Sequence, residues 1–234
     1  MFLRKFLSTS PLLARVAPFV LFALLTVAQG KCGAASAYWF YLAKTLVGGW
    51  LIFEAWPLVA EMRWAFSWEA VVVGVGIFAV WVGISGEWTS QNSLWVKLGL
   101  SSAPGTPPPP WNPHAQFGSG SALAWLFIIT RILGSTFVVP PLEEVFYRSF
   151  LYRYIASVNF LTVPLAKFLP LPFLATALVF GFSHNEWLAG IICGAAYQWL
   201  VIRKHRLGDA LTAHAITNFL LGVWVVWRGE WKFW

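Results

Sequence analysis

Two adjacent carboxylates, two imidazoles and one carboxamide stand in stretches of this chain that are otherwise apolar. Glu143 and Glu144 occur in the run Pro140-Pro141-Leu142-Glu143-Glu144-Val145-Phe146-Tyr147-Arg148. Prolines just ahead of two acids predict the first turn of a helix, where the dipole favours anions. Glu144 and Arg148 are four residues apart and can pair on one face. Glu143, turned by about 100° from Glu144, is left to face something else. The bland alternative is that both acids and Arg148 form a buried structural ion network.

His184 closes the apolar run Phe180-Gly181-Phe182-Ser183-His184, and His214 precedes Asn218 by four residues in His214-Ala215-Ile216-Thr217-Asn218. Taken singly each is weak, because a lone His on an apolar helix is more often a satisfied core residue than a catalyst. Taken together, a carboxylate, two imidazoles and a carboxamide on separate apolar segments are the parts needed for hydrolysis. A carboxylate in a partly dehydrated pocket can act as general base toward water. One His can share that water. A second His and an Asn can donate hydrogen bonds to the developing oxyanion, in a low-dielectric setting where such bonds count most. The same Glu143, His184 and His214 could instead ligate zinc.

The elements that must position these groups are membrane helices. Of 234 residues, 59% are hydrophobic and 11% charged, well under the ~25% charge of soluble domains. Sixteen Trp and twenty Phe suit aromatic belts at the membrane interfaces. Apolar segments long enough, or nearly so, to cross a bilayer core of about 30 Å fall at 16–29, 36–53, 68–85, 121–139, 142–159, 170–184, 186–202 and 208–227. The expected fold is therefore an all-α, polytopic transmembrane bundle of about eight helices in one membrane domain, 1–234. Continuous rather than alternating apolar runs argue against a β-barrel. The N-terminal stretch 1–28 reads as a retained membrane helix rather than a cleaved signal peptide.

Between the third and fourth of these segments, residues 86–120 carry Pro107-Pro108-Pro109-Pro110 and Trp111-Asn112-Pro113, which predicts an extended extramembrane loop without helix. The +7 formal charge is dispersed in small groups at helix ends rather than gathered in a patch, which speaks against nucleic acid. A Lys/Arg count for orientation ties. Arg4, Lys5, Arg15, Arg63, Arg228 and Lys232 fall on one side; Lys31, Lys97, Lys167, Arg203, Lys204 and Arg206 fall on the other. Arg131, inside an apolar segment, needs a partner or a water cavity; a structural counter-ion is expected, with a substrate contact as the alternative. Cys32 and Cys193 have no metal-site or disulfide spacing and read as packing residues. Gly190 and Gly194 form a G-x-x-x-G suited to close helix packing.

The order Glu-Glu-x-x-x-Arg, Phe-x-x-x-His, His-x-x-x-Asn resembles the CPBP family of intramembrane endopeptidases, relatives of the CAAX prenyl protease. The resemblance covers roughly Leu123 to Trp234. More narrowly, Val139 to Glu144 with Arg148-Ser149-Phe150-Leu151, Trp187-Leu188-Ala189-Gly190 and the tail Trp231-Lys232-Phe233-Trp234 are similar to the bacterial subgroup associated with exosortase sorting systems. The resemblance implies an active site in an intramembrane cavity of a bacterial inner-membrane enzyme. Glu143 is then the catalytic carboxylate, His184 helps activate water, and His214 and Asn218 form the oxyanion site. Glu144 and Arg148 support the helix, and Phe180 packs within its motif. His184-Asn185 departs from the apolar residue that many members carry after the His. The resemblance favours a metal-free, glutamate-driven reaction, with zinc as the alternative.

The partners so implied are the bilayer and a membrane-associated protein or peptide substrate, with a functional link to an exosortase system. Two other classes use the same groups: a non-catalytic immunity or scaffold protein of the same fold, and a proton-coupled transporter. Absence of an internal repeat counts against the transporter. The protease makes a geometric demand, since Glu143, His184, His214 and Asn218 must reach one water-accessible cavity. The turn at Asn185-Glu186 must then be sunk to membrane depth, its backbone satisfied by protein or water.

Overall fold

A computed structural model describes residues 2–29, 32–33, 35–100 and 110–234. The Pro107–Pro109 part of the proline run and Lys31 lie outside the described residues.

The described residues are helical, with no strand beyond an isolated bridge between Ser90 and Glu186. In chain order the helices are α1 (Phe2–Leu7), α2 (Pro11–Ala28), α3 (Ser36–Ala55), α4 (Trp68–Ile84), α5 (Gln91–Lys97), α6 (Pro113–Phe117), α7 (Ala122–Leu133), α8 (Val139–Glu144), α9 (Tyr152–Ala156), α10 (Pro170–Phe182), α11 (Trp187–Lys204) and α12 (Gly208–Arg228). Among the described residues, three helical runs are long and apolar enough to cross a membrane: Pro11–Ala28, Ala122–Ala156 and Gly208–Arg228. Trp68–Ile84 and Pro170–Phe182 are shorter apolar helices. The molecule is an all-α, polytopic integral membrane protein.

The largest departure from expectation concerns Glu143 and Glu144. The α-helical segment α8 begins at the prolines, but it is not a free helix start. A single helical run of 35 residues extends from Ala122 to Ala156 and passes through Pro140 and Pro141. Two wide-turn π segments, Gly134–Val138 and Val145–Leu151, flank α8. A proline cannot donate a backbone hydrogen bond and its ring crowds the preceding turn, so the helix continues by widening that turn. Val139 N–H accordingly reaches back five residues, to Gly134 O. The two acids thus sit mid-run, where no free N-terminal dipole acts on them.

Residues 86–120 also differ from expectation, because they hold short helical pieces at Glu87–Thr89, α5 and α6. Local capping explains them. Ser90 Oγ accepts Ser93 N–H at 3.2 Å, and Asn112 Oδ1 accepts His114 and Ala115 N–H at 3.0 and 3.2 Å ahead of Pro113.

The described chain groups into two compact units. One comprises residues up to 63, 110–146 and 218–234. In it α3 packs on α2, α7 and α8. Gly134 and Gly48 allow this approach. A Cβ at Gly134 would meet Thr45 Oγ1 at 2.7 Å, and one at Gly48 would meet a Val138 methyl at 2.5 Å. Its aromatic core is Tyr38, Tyr41, Trp111 and Phe127, with Phe117 and Trp234 against it.

Arg131 belongs to this cluster, and its expected counter-ion is not a carboxylate. Its guanidinium lies 4.8, 4.5 and 5.3 Å from the ring centroids of Tyr41, Trp111 and Trp234. Three π faces hold the cation at membrane-helix depth. His114 joins the edge of the same region, against Trp125 and Trp231.

The other unit comprises 64–109 and 147–217. In it α11 packs on α10 and α4. The glycines of α10 and α11 meet backbone to backbone. A Cβ at Gly190 would stand 2.9 Å from Gly181 Cα, and one at Gly194 would stand 3.2 Å from Ala177 Cα. The G-x-x-x-G therefore serves packing within the chain. Cys193 is buried in this unit, whereas Cys32 in the first unit is exposed and is no packing residue. The basic group ending α11 is tied down by Lys204–Glu69 at 3.1 Å and by an Arg206–Asp209 pair.

Candidate active site

In the first unit, Glu143 is half-buried and Glu144 is fully buried. Glu143 Oε2 is shut off from solvent and accepts no hydrogen bond from any described residue. A carboxylate oxygen shielded in this way and without a protein donor is available to a water or a substrate group rather than spent on structure. One cation that interacts with Glu143 was not foreseen. Lys44 on α3 is buried, donates to Thr26 Oγ1 at 3.1 Å, and lies over Tyr41 and Phe22 at 4.5 and 5.2 Å. Glu143 is among the charges that act on it. No motif marks Lys44; the only signal in the sequence is a lysine inside an apolar helix.

Asn218 has a structural task. Its Nδ2 donates to Ser135 O at 2.8 Å. Ser135 O lies in the π segment, where the N–H of Val139 is already given to Gly134 and the next residue, Pro140, has none. The carbonyl orphaned by the proline is thus satisfied by α12. One of the two amide hydrogens of Asn218 is committed there, which leaves the other for chemistry.

In the second unit, Phe180 is the hub. Its ring is fully buried, with centroids 4.6 Å from His184, 6.2 Å from His214 and 5.0 Å from Tyr147, and the Arg148 guanidinium is 4.4 Å from its centre. Both imidazoles therefore flank one phenyl ring. His214 is buried and also lies 5.1 Å from the Tyr197 ring. Tyr197 donates to Thr217 Oγ1 at 2.7 Å, which binds α11 to α12 one turn from His214. Arg148 is fully buried, and its Nη2 donates to Gly194 O at 3.3 Å.

His184 is held in the turn after α10, and its tautomer follows from its partners. Nδ1 lies 2.7 Å from Phe180 O, an acceptor only, so Nδ1 carries the proton. Nε2 then presents a lone pair that can take a proton from water. Ser183 Oγ donates to the same carbonyl at 2.7 Å, and Tyr147 OH donates to Ser183 Oγ at 3.1 Å. The Trp81 ring closes one side at 5.6 Å.

The turn carrying His184 is braced by the segment that follows α4. Gln91 N–H donates to Asn185 O at 2.7 Å, Thr89 Oγ1 donates to Glu186 Oε2 at 2.9 Å, and Gln91 Nε2 donates to Phe182 O. Glu186 pairs with Ser90 in the isolated bridge. The irregular backbone that the sequence places beside His184 is thus satisfied by protein. Thr89 and Gln91 were not legible as site residues, because nothing in a polar run after an apolar helix says which turn it will brace.

Among the described residues no three His, Cys, Asp or Glu side chains group as metal ligands.

Residues 124–220 match the family model of type II CAAX prenyl endopeptidase Rce1-like proteins. The match spans all seven motif residues, from Glu143 to Asn218, and supports the CPBP family. No curated protein and no solved structure matches the chain.

Proposed function

We propose that the chain is an intramembrane endopeptidase that hydrolyses a peptide bond of a membrane-associated protein or peptide, with Glu143 as the base that activates water. The observation that carries this reading is the state of Glu143: a shielded carboxylate oxygen with no protein donor, inside the segment that matches the CAAX endopeptidase model. The mechanism runs in two steps. Glu143 takes a proton from water as the hydroxide adds to the scissile carbonyl, with Nε2 of His184 sharing that water. Imidazole N–H of His214 and the second amide hydrogen of Asn218 meet the developing oxyanion. The proton on Glu143 then passes to the leaving nitrogen, which restores the carboxylate. The tautomer of His184 set by Phe180 O supports its part, and Glu144 and Arg148 hold the helical segment in place.

The reaction in this reading needs no metal. The host membrane is the bacterial inner membrane, and the substrate is of CAAX type or a sorting tail of an exosortase system.

The test uses purified protein in proteoliposomes. The probe is a fluorescent peptide ending in a farnesylated Cys-aliphatic-aliphatic-X sequence, alongside its unprenylated twin. Wild type is expected to cleave, and Glu143→Gln to be slower by at least about 10²-fold while remaining folded. Wild-type turnover by Glu143→Gln would overturn the mechanism, and intact peptide throughout would overturn a CAAX-type substrate. Treatment with 1,10-phenanthroline should leave the rate unchanged; loss that zinc restores would replace the glutamate reading with a metal one.

A further inference from the structure

The first unit carries an apolar groove that the catalytic reading does not use. It is open to a volume of about 570 Å³ and is lined by Arg4, Gly49, Ile52, Phe53, Trp56 and Pro57. Its floor is Gly49, where an added Cβ would meet nothing within 4 Å. The walls are apolar, and Phe53 is 65% exposed, so an acyl chain lying along α3 would find hydrocarbon on both sides.

The mouth of the groove is cationic. Arg4 Nε donates to the buried Glu54 at 3.1 Å, and the two terminal nitrogens of Arg4 have no acceptor among the described residues. Its guanidinium stands 5.4 Å from the Phe53 ring centre. Arg63 lies over the Trp56 ring at 4.7 Å, and among the described residues only its Nη1 is used, toward Trp56 O and Met62 O. Trp56 is thus shared, lining the groove beside Arg4 and lying beneath Arg63. Lys5, next to Arg4, is exposed, and among the described residues no carboxylate pairs with Lys5 or Arg63. The short helix α1 buries Leu7 while Phe2 and Phe6 are exposed, as suits a helix resting in the interface.

We propose that this groove is a binding site for an anionic phospholipid, with one acyl chain over Gly49 and the phosphate against Arg4, Lys5 and Arg63. Guanidinium groups with free paired donors suit phosphate oxygens, and juxtamembrane basic residues are drawn to anionic leaflets. A zwitterionic lipid would bring its own headgroup cation beside Lys5 and Arg63 and so gain less from them.

Native mass spectrometry of the full chain in mild detergent, with equimolar phosphatidylglycerol and phosphatidylcholine, tests the proposal. Wild type should retain phosphatidylglycerol over phosphatidylcholine by at least about fivefold, the preference expected of one basic contact. Lys5→Gln/Arg63→Gln, which leaves the Arg4–Glu54 pair intact, should lower the ratio severalfold. Gly49→Phe, placed in open space, should reduce retention of both lipids. Equal retention of the two lipids by wild type would overturn the proposal. So would an undiminished preference in the double variant, or undiminished retention in Gly49→Phe.

Discussion

At the scale of single residues, the groups with chemical potential divide by how they are held. Glu143 keeps a shielded oxygen without a protein donor; His184 has one nitrogen fixed by a backbone carbonyl and the other left basic. Asn218 spends one hydrogen on a carbonyl that Pro140 leaves without a donor. That pairing makes a quantitative prediction. Asn218→Ala should destabilise the protein by about 1–3 kcal/mol, the cost of an orphaned buried acceptor. In a Pro140→Ala background, where residue 140 regains an N–H, the cost should shrink, and a double-mutant cycle of unfolding in detergent would measure the coupling. Phe180→Ala should cost about 3–5 kcal/mol by the same measurement and slow cleavage, because both imidazoles rest on that ring. The motif residues were legible from type and spacing alone. The partners of Asn218 and Arg131 were not, since Ser135, Tyr41, Trp111 and Trp234 are distant in sequence and no local period announces them.

At the scale of elements, the Ala122–Ala156 run shows why local rules misled. Paired prolines ordinarily mark a helix start, and the acids after them then fall in the first turn. Here two π segments carry the helix across the prolines, an outcome that depends on packing from α3 and on a donor from α12. The segment after α4 is the second case. Read as a connector, it supplies Thr89 and Gln91 to the His184 turn. Thr89→Val and Gln91→Ala should therefore lower the turnover number by roughly tenfold or more, since small misplacements of a catalytic group cost rate steeply. The melting temperature should shift far less than for Phe180→Ala. Equal loss of stability in all three variants would show that the brace is merely structural.

At the scale of the whole molecule, composition and apolar run lengths were enough to read an all-α, polytopic membrane protein, because lipid allows few alternatives to helices. The match of residues 124–220 to the CAAX endopeptidase model agrees with the motif order read from the same residues. What the account asserts above all is that Glu143 acts as the base toward water. Chemical rescue addresses that claim most directly. Single-turnover cleavage of the farnesylated peptide in proteoliposomes should fall by about 10²–10⁴-fold in Glu143→Ala, and added formate should restore part of the rate by standing in for the missing carboxylate. Cleavage by Glu143→Ala at the wild-type rate, with or without formate, would contradict it.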